Sequence, residues 1–441
     1  MNRLSMMLND RKRFLCSAAL AAVLVLLASG ANAWANTVRC VPEASLNPSC
    51  TAATTYSTIS LAVAAAGPGD LIVVGSGKYN ESVTIPTSTQ SLSLFGAQAG
   101  KDARVDRNDP LAESTVDATG TGNSAIIVDA PKVVIDGFTV QGGTAGTPAA
   151  GIYLEQSSAQ VLNNILQNNS TGISLNDAGT GAVIEHNLFR NNNAGTASNS
   201  GYGIFSSGAP FVVITENEFS GNKTAAIYAN QSGAIGPTIT SNTSENDGSF
   251  VIVEGTGAGQ FSHNHGRNFG HKGVLPGSQY GDGAVAIGPN NRYLEISDND
   301  LEKGEAPINN GIAFTTVFGT GLNLGVNVRN NKITGFPGNG IVAEELSGTG
   351  TFGYANWIAG NEVYDNGANG IFIEGSSLLN SGMFLFDNEA EGNHVSDCQD
   401  TSTGSGTLET GNIWFNNIGS LSSPTGLCRP PGGIMTPLGR D

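Results

Sequence analysis

Charge, helical periodicity and long apolar runs are all scarce in this chain, and each scarcity excludes something. Only 13% of the 441 residues are charged, and 20 basic residues face 37 acidic ones for a formal net charge of −17. So little positive charge argues against nucleic acid or an anionic membrane as partner, since both need a Lys/Arg patch. A polyuronate is disfavoured on the same ground unless a divalent cation bridges the two. No apolar run reaches the ~20 residues of a spanning helix. The longest, Phe14 to Ala28, follows Arg11-Lys12-Arg13 and precedes Ala31-Asn32-Ala33 and Ala33-Trp34-Ala35. That order reads as a secretory signal peptide, residues 1–35, cleaved on export. Its removal leaves 16 basic against 36 acidic residues, a net of −20.

Cysteine is nearly absent as well, with five in all. Cys16 belongs to the signal, which leaves Cys40, Cys50, Cys398 and Cys428, an even set suited to an oxidising compartment, secreted or periplasmic. No C-x-x-C spacing occurs, so a thiolate metal site is disfavoured.

What is abundant is glycine, 60 residues of it, together with a recurring phrase. A Gly-Ile strand, a variable loop, a second β-rich run and an Asn-bearing turn follow one another from about Gly151 to Asn417. Strand starts include Gly151-Ile152, Gly172-Ile173, Gly203-Ile204, Ala226-Ile227, Gly311-Ile312, Gly340-Ile341 and Gly370-Ile371. Turns include Asn164-Ile165-Leu166-Gln167-Asn168, Asn187-Leu188-Phe189-Arg190-Asn191 and Asn361-Glu362-Val363-Tyr364-Asp365-Asn366. A unit of roughly 22 to 35 residues built from short β-type runs is the signature of a stacked solenoid. Within Gly151 to Glu155 the alternation sends Ile152 and Leu154 to one face and Tyr153 and Glu155 to the other. Asn suits the corner because its amide bonds nearby backbone and it tolerates left-handed dihedrals, while Gly permits the next corner.

This phrase resembles the repeats of right-handed parallel β-helix proteins, the pectin lyase-like superfamily with its NosD-like members, over about Tyr56 to Asn417. The resemblance implies an all-β, single-stranded right-handed parallel β-helix of roughly ten to twelve coils. Tyr56 to Val74 followed by Gly77-Lys78-Tyr79-Asn80-Glu81 looks like the opening of pectin methylesterases, with Ile59 to Ala66 as a short amphipathic helix capping the core. The expected organisation is a signal peptide at 1–35, an N-terminal disulfide segment at 36–55, the β-helix at 56–420 and a tail at 421–441. A solenoid keeps its ends apart, which favours pairing Cys40 with Cys50 and Cys398 with Cys428.

Function is carried by the outward positions of the Gly-Ile strands: Tyr153/Glu155, Ser174/Asn176, Phe205/Ser207, Tyr228/Asn230, Ile252/Glu254, Ala313/Thr315, Val342/Glu344 and Phe372/Glu374. Aromatics beside carboxylates and amides suit a sugar-binding groove, so Tyr153, Glu155, Phe205, Tyr228, Asn230, Glu254 and Phe372 are candidate polysaccharide contacts. Loops covering the aromatics would leave the same pattern. Glu344 and Glu374 hold equivalent places in coils expected to be adjacent, and two close carboxylates either raise one pKa, as an acid/base pair does, or with Glu345 recruit Ca²⁺. Otherwise they splay into solvent. A second cluster, His263, His265, Arg267, His271 and Lys272, leading to Tyr280-Gly281-Asp282, gathers three of the five histidines on what reads as a loop. Such groups serve proton abstraction from a uronate, bind Zn²⁺ or Cu²⁺, or only solvate the loop. The chain lacks the N-T-D, paired-Asp and R-I-K set of polygalacturonases and the D-P-H of alginate epimerases. The expectation is therefore an exported, monomeric, carbohydrate-active β-helix that binds and cleaves or epimerises a polysaccharide. A non-catalytic module or a metal-handling NosD-like protein stands as the alternative.

Overall fold

Short alternating runs can bury only one side, and this chain solves the problem by winding them into three parallel sheets around a shared interior. The computed structural model describes residues 37–42, 50–155, 158–176, 180–194, 200–270, 283–304, 308–315, 321–344, 356–375 and 381–432. The segment expected to be a signal peptide, residues 1–35, with its Cys16, and His271, Lys272, Tyr280, Asp282 and Glu345 lie outside them. Among the described residues the sheets hold 14, 13 and 12 strands, each paired in parallel with the strand one coil away. That makes twelve complete coils, a rod of about 55–60 Å at the spacing of parallel strands.

Inward positions form one continuous apolar core, with Ile152, Leu154, Ile173, Ile204, Ile227 and Ile371 all buried. Phe189 and Phe219 stack at 4.7 Å between successive coils inside it. The leading glycines of the Gly-Ile strands are there for closeness rather than for turning. A Cβ on Gly172 would sit 2.5 Å from the carbonyl oxygen of Gly203, and one on Gly203 would meet the Ala226 oxygen at 2.6 Å. The left-handed residues of the Asn corners are mostly those just before the buried asparagine: Asn163, His186, Glu216, Ser241 and His263 have φ of 50–58°.

Those buried asparagines make a ladder. From Asn164 through Asn187, Asn217, Asn242, Asn264, Asn299, Asn331, Asn361 and Asn388 to Asn417, each backbone N–H donates to the side-chain Oδ1 of the next, at 2.8–3.1 Å. Sheet hydrogen bonding stops at a corner, and the side-chain amide supplies the bond between coils that the bent backbone cannot. A second ladder, Asn169, Asn192, Asn222, ends on Asp247, whose Oδ1 accepts from Asn222 N and Nδ2 at 2.6 and 2.8 Å while Oδ2 accepts from Ser244 Oγ at 2.7 Å. An acceptor-only side chain suits the last rung, where no further oxygen awaits a donor. Burial pushes the Asp247 carboxyl up to about 7.

Both ends are closed. Helix Ile59–Ala64 buries Ile59, Ala62 and Val63 against the first coils, with the Thr58 side chain accepting from Leu61 N and Glu81 from Ile59 N and Ser60 N. Cys40 is bonded to Cys50 and Cys398 to Cys428. Two boundaries differ from the expected ones: Val38–Val41 is already a strand of the 14-stranded sheet, and Ser422–Ser423 pairs with Ser396–Asp400. An excursion over residues 97–113 leaves the second coil and folds along the same corner of the third to sixth coils, meeting Asp136, Asn163, His186 and Glu216. It is anchored by the fully buried side chain of Arg107 on Glu113 and the Asn163 carbonyl, and Glu113 also accepts from Thr139 Oγ1 at 2.8 Å.

Candidate functional site

The Gly-Ile strands do lie atop one another, in the 13-stranded sheet. Its outward column runs Ile127, Tyr153, Ser174, Phe205, Tyr228, Ile252, Ala286, Ala313, Val342, Phe372 and Gln399, each the register partner of the next. Sequence reading passed over the coil of Ala286, whose strand starts Gly283-Ala284-Val285 and hides the repeat. The column is not evenly open. Tyr228 is only 8% exposed, and with Tyr202, Ala225, Ile252 and Ala286 it forms a small apolar cluster outside the sheet, onto which Phe205 packs. Tyr228 and Phe205 stack at 5.1 Å. Burial thus takes the Tyr228 ring out of the stacking role expected for it and leaves only its hydroxyl at the polar edge. Tyr153, Phe205 and Phe372 remain half-buried.

Beside that column runs a polar one, and the structure assembles three groups along it. The first was legible only in part. Glu155 follows Asp129 one coil on, and a hydrogen bond to Asp129, then slight desolvation, raises its carboxyl pKa. Next to them Asn176 Nδ2 donates to the Tyr153 hydroxyl at 2.9 Å, and burial followed by the Glu155 charge raises the Tyr153 pKa. Asp129 went unnoticed because it lies before the stretch where the repeat becomes regular.

In the second group, Tyr228 donates its hydroxyl proton to Glu254 Oε1, and Asn230 Nδ2 approaches both the Tyr228 oxygen at 3.3 Å and Glu254 at 3.4 Å. Burial first, then Glu254, drives the Tyr228 pKa far above the ordinary tyrosine value. A phenol in that state keeps its proton at neutral pH and serves as a donor, not a base. Asn230 Oδ1 is buried without a hydrogen-bond partner among the described residues, an acceptor that a ligand hydroxyl suits. The third group is Glu344 and Glu374, in consecutive coils, where Glu344 N donates to Phe314 O and Glu374 N to Ala343 O.

The basic cluster is placed elsewhere. His265 and Arg267 are outward residues of strand His265–Phe269 in the 12-stranded sheet, and His263 occupies the corner before it. They sit on strand and corner, on a different sheet from the Gly-Ile face, rather than on a loop flanking it. His265 Nδ1 lies 3.5 Å from Asp300 Oδ2, and Arg267 pairs with Glu245 at 3.0 Å. Among the described residues one trio has metal-ligand spacing: Glu185, His186 and Glu216, whose donor atoms lie within 4.8 Å of one another. His186 Nε2 is 3.0 Å from Glu216 Oε2, which Arg104 of the excursion also approaches at 3.4 Å.

A further aromatic strip was missed altogether. On the 14-stranded sheet Trp357, Phe384 and Ile413 are aligned in successive coils, as are Ala359, Phe386 and Phe415. Trp357 is 48% and Phe415 61% exposed. The triplets Trp357-Ile358-Ala359, Phe384-Leu385-Phe386 and Ile413-Trp414-Phe415 are apolar throughout, so alternation does not reveal which residues face out. The Asn corner that follows each one does, by fixing the phase.

Comparison with known proteins places the fold. The model of the family described as periplasmic copper-binding protein (NosD) matches residues 99–265. No curated protein matches the sequence. Among solved structures, the catalytic unit of an α-1,3-glucanase from Streptomyces thermodiastaticus superposes with a TM-score of 0.55 at 12% identity, over 82% of this chain and 66% of that one. This chain therefore spans just under two thirds of that unit. A periplasmic alginate epimerase gives 0.48 at 11% identity over 80% and 77%, and an alginate lyase from Paenibacillus gives 0.44 at 14% over 82% and 95%. Identities this low speak to architecture alone. On its sheet topology and the likeness to the glucanase unit, the chain folds as a right-handed parallel β-helix, and its residues 99–265 are similar to the NosD family.

Proposed function

We propose that this is an exported β-helix protein that binds an extracellular or cell-wall polysaccharide along its outer sheets. The observation that carries the reading is the register of the 13-stranded sheet, which sets Tyr153, Phe205 and Phe372 beside the polar column of Asp129, Glu155, Asn176, Asn230, Glu254, Glu344 and Glu374. Ring faces for the apolar side of a pyranose and amides or carboxylates for its hydroxyls are what a glycan chain requires. The exposed Trp357 strip adds a second surface of the same chemistry. The solved structures it is similar to include a glucanase, an alginate lyase and an alginate epimerase, which supports a carbohydrate partner. The two disulfides and the segment before Asn36 support export.

Binding is favoured over turnover because the best-defined polar group along the face is already engaged within the protein: Tyr228 donates its hydroxyl to Glu254, with the Asn230 amide beside both. A panel of neutral and acidic polysaccharides, with and without Ca²⁺, tests this by retardation in affinity gels and by assays for reducing ends and unsaturated uronate. Retardation lost in Tyr153→Ala and Glu254→Gln supports the reading. Wild-type protein that no glycan retards removes it, and product formation abolished by Glu344→Gln or Glu374→Gln establishes turnover instead.

A metal-handling role is the second reading, favoured by the Glu185, His186 and Glu216 trio within the segment that matches the copper-binding family. One imidazole and two carboxylates fit Cu²⁺ or Zn²⁺ as donors. Arg104 beside Glu216 opposes it and has to move aside. Titration of wild type and His186→Ala with Cu²⁺ decides: equal binding by both ends the role of this trio.

A further inference from the structure

Where the chain leaves the 13-stranded sheet for the 14-stranded one, the corners of three successive coils part to leave a cleft of about 370 Å³. Its walls include Gly233, Gly255, Gly257, Asn290, Arg292 and Tyr293. Small residues make up most of the lining, with Ala234 and Thr256 among the glycines, and Gly233 has open space where a Cβ would stand, so a flat ring can approach the backbone there. Tyr293 is 55% exposed at the rim. Arg292 is exposed and has no ion-pair partner among the described residues, while Glu295, three residues further on, is already paired with Arg329. The cleft opens beside the second polar group of the sheet face, since Glu254 immediately precedes Gly255.

We infer that this cleft is a separate subsite for one carboxylate-bearing sugar of a short acidic oligosaccharide. The inference rests on the glycan-binding reading and names a substrate class for it. A guanidinium takes a carboxylate through two parallel hydrogen bonds, which a neutral sugar cannot offer. The tyrosine ring covers the apolar face of the pyranose, and the Asn290 amide meets a hydroxyl. The volume lies at the small end of ligand pockets, room for about one or two rings. A chain of net charge −17 repels a long polyanion, so the acidic partner that fits is short, one carboxylate meeting one cation.

The test is calorimetric titration with the trisaccharides of galacturonate, mannuronate and glucuronate, each beside its carboxyl-reduced neutral counterpart. The expected result is that wild type binds at least one acidic trisaccharide more tightly than its reduced form. Arg292→Gln then loses about 10- to 100-fold in affinity for it and leaves the reduced form unaltered, Arg292→Lys recovers part of the loss, and Tyr293→Ala weakens both forms. Equal wild-type affinity for acidic and reduced forms, or Arg292→Gln binding the acidic form as wild type does, overturns the inference. Trp357→Ala and Tyr153→Ala separate the two readings: retention of polysaccharide on the sheets with no effect of Arg292→Gln sinks the subsite alone, whereas loss of all glycan binding in wild type sinks both.

Discussion

Asn217→Ala removes one rung from the middle of the longer asparagine ladder, and the structure sets the size of the effect. The Asn217 amide donates to Ile184 O and Thr215 O at 2.9 Å and to Asn242 Oδ1 at 3.0 Å, and its oxygen accepts from Asn187 N and Nδ2 at 3.0 Å each. Asn187 Nδ2 keeps two other acceptors, Val161 O and Glu185 O, but the Asn187 backbone N–H has no other acceptor among the described residues. An unsatisfied buried N–H costs about 1–3 kcal/mol and each lost bond about 1 kcal/mol net, so with partial relaxation a loss of about 3–5 kcal/mol is expected. Urea unfolding followed by far-ultraviolet dichroism reads it as a shift in midpoint. Because solenoids unfold through neighbouring units, hydrogen exchange across Asn187 to Asn242 provides the local check. Asn123→Ala, on an exposed loop residue outside the left-handed set whose side chain makes no hydrogen bond among the described residues, is the control and stays within about 0.5 kcal/mol of wild type. An Asn217→Ala protein as stable as the control refutes the reasoning that the ladder bonds the coils at this corner.

Two further predictions concern stability. Asp247 has a folded pKa of about 7, above its ordinary 3.8. Folding therefore takes up a proton between those values, so the stabilisation is complete below about pH 4 and is lost as pH rises through 7. Denaturation midpoints measured from pH 4 to 8 fall in wild type relative to Asp247→Asn, and parallel curves contradict this. Arg107→Ala leaves the Glu113 carboxylate buried without its cation and costs about 3–5 kcal/mol, whereas the double variant Arg107→Met/Glu113→Leu recovers most of it. Both are read by thermal unfolding, and a single variant within 1 kcal/mol of wild type removes the claim that this pair anchors the excursion.

Architecture was far more legible than chemistry, for a physical reason. A β-helix repeats its period-2 alternation and its corners in every coil, so Gly-Ile and Asn recur at visible intervals. Even there the roles needed coordinates: Gly203 answers close packing against Ala226 and Phe219, and the left-handed corner belongs to His186 or Glu216, one residue before the asparagine. A site in this fold is built from residues a full coil apart, such as Asp129 with Glu155 or Tyr228 with Glu254. Neighbours in sequence point to opposite sides of a strand or onto different sheets. Clustering along the chain was therefore a poor guide for His263, His265 and Arg267, and register was a good one for Glu344 and Glu374. The coverage of Tyr228 and Val342 depends on what packs outside the sheet, which alternation does not encode.

Trp357 provides the most direct test of glycan binding. Of the three tryptophans, Trp34 lies in the expected signal peptide and Trp414 is buried, so Trp357 is the exposed indole among the described residues. Titrating the protein with soluble polysaccharides while following indole fluorescence should give a saturable blue shift with at least one glycan, abolished in Trp357→Ala and kept in Tyr153→Ala, which lies on a different sheet. A spectrum unmoved by every glycan, together with no retardation in affinity gels, would contradict the account.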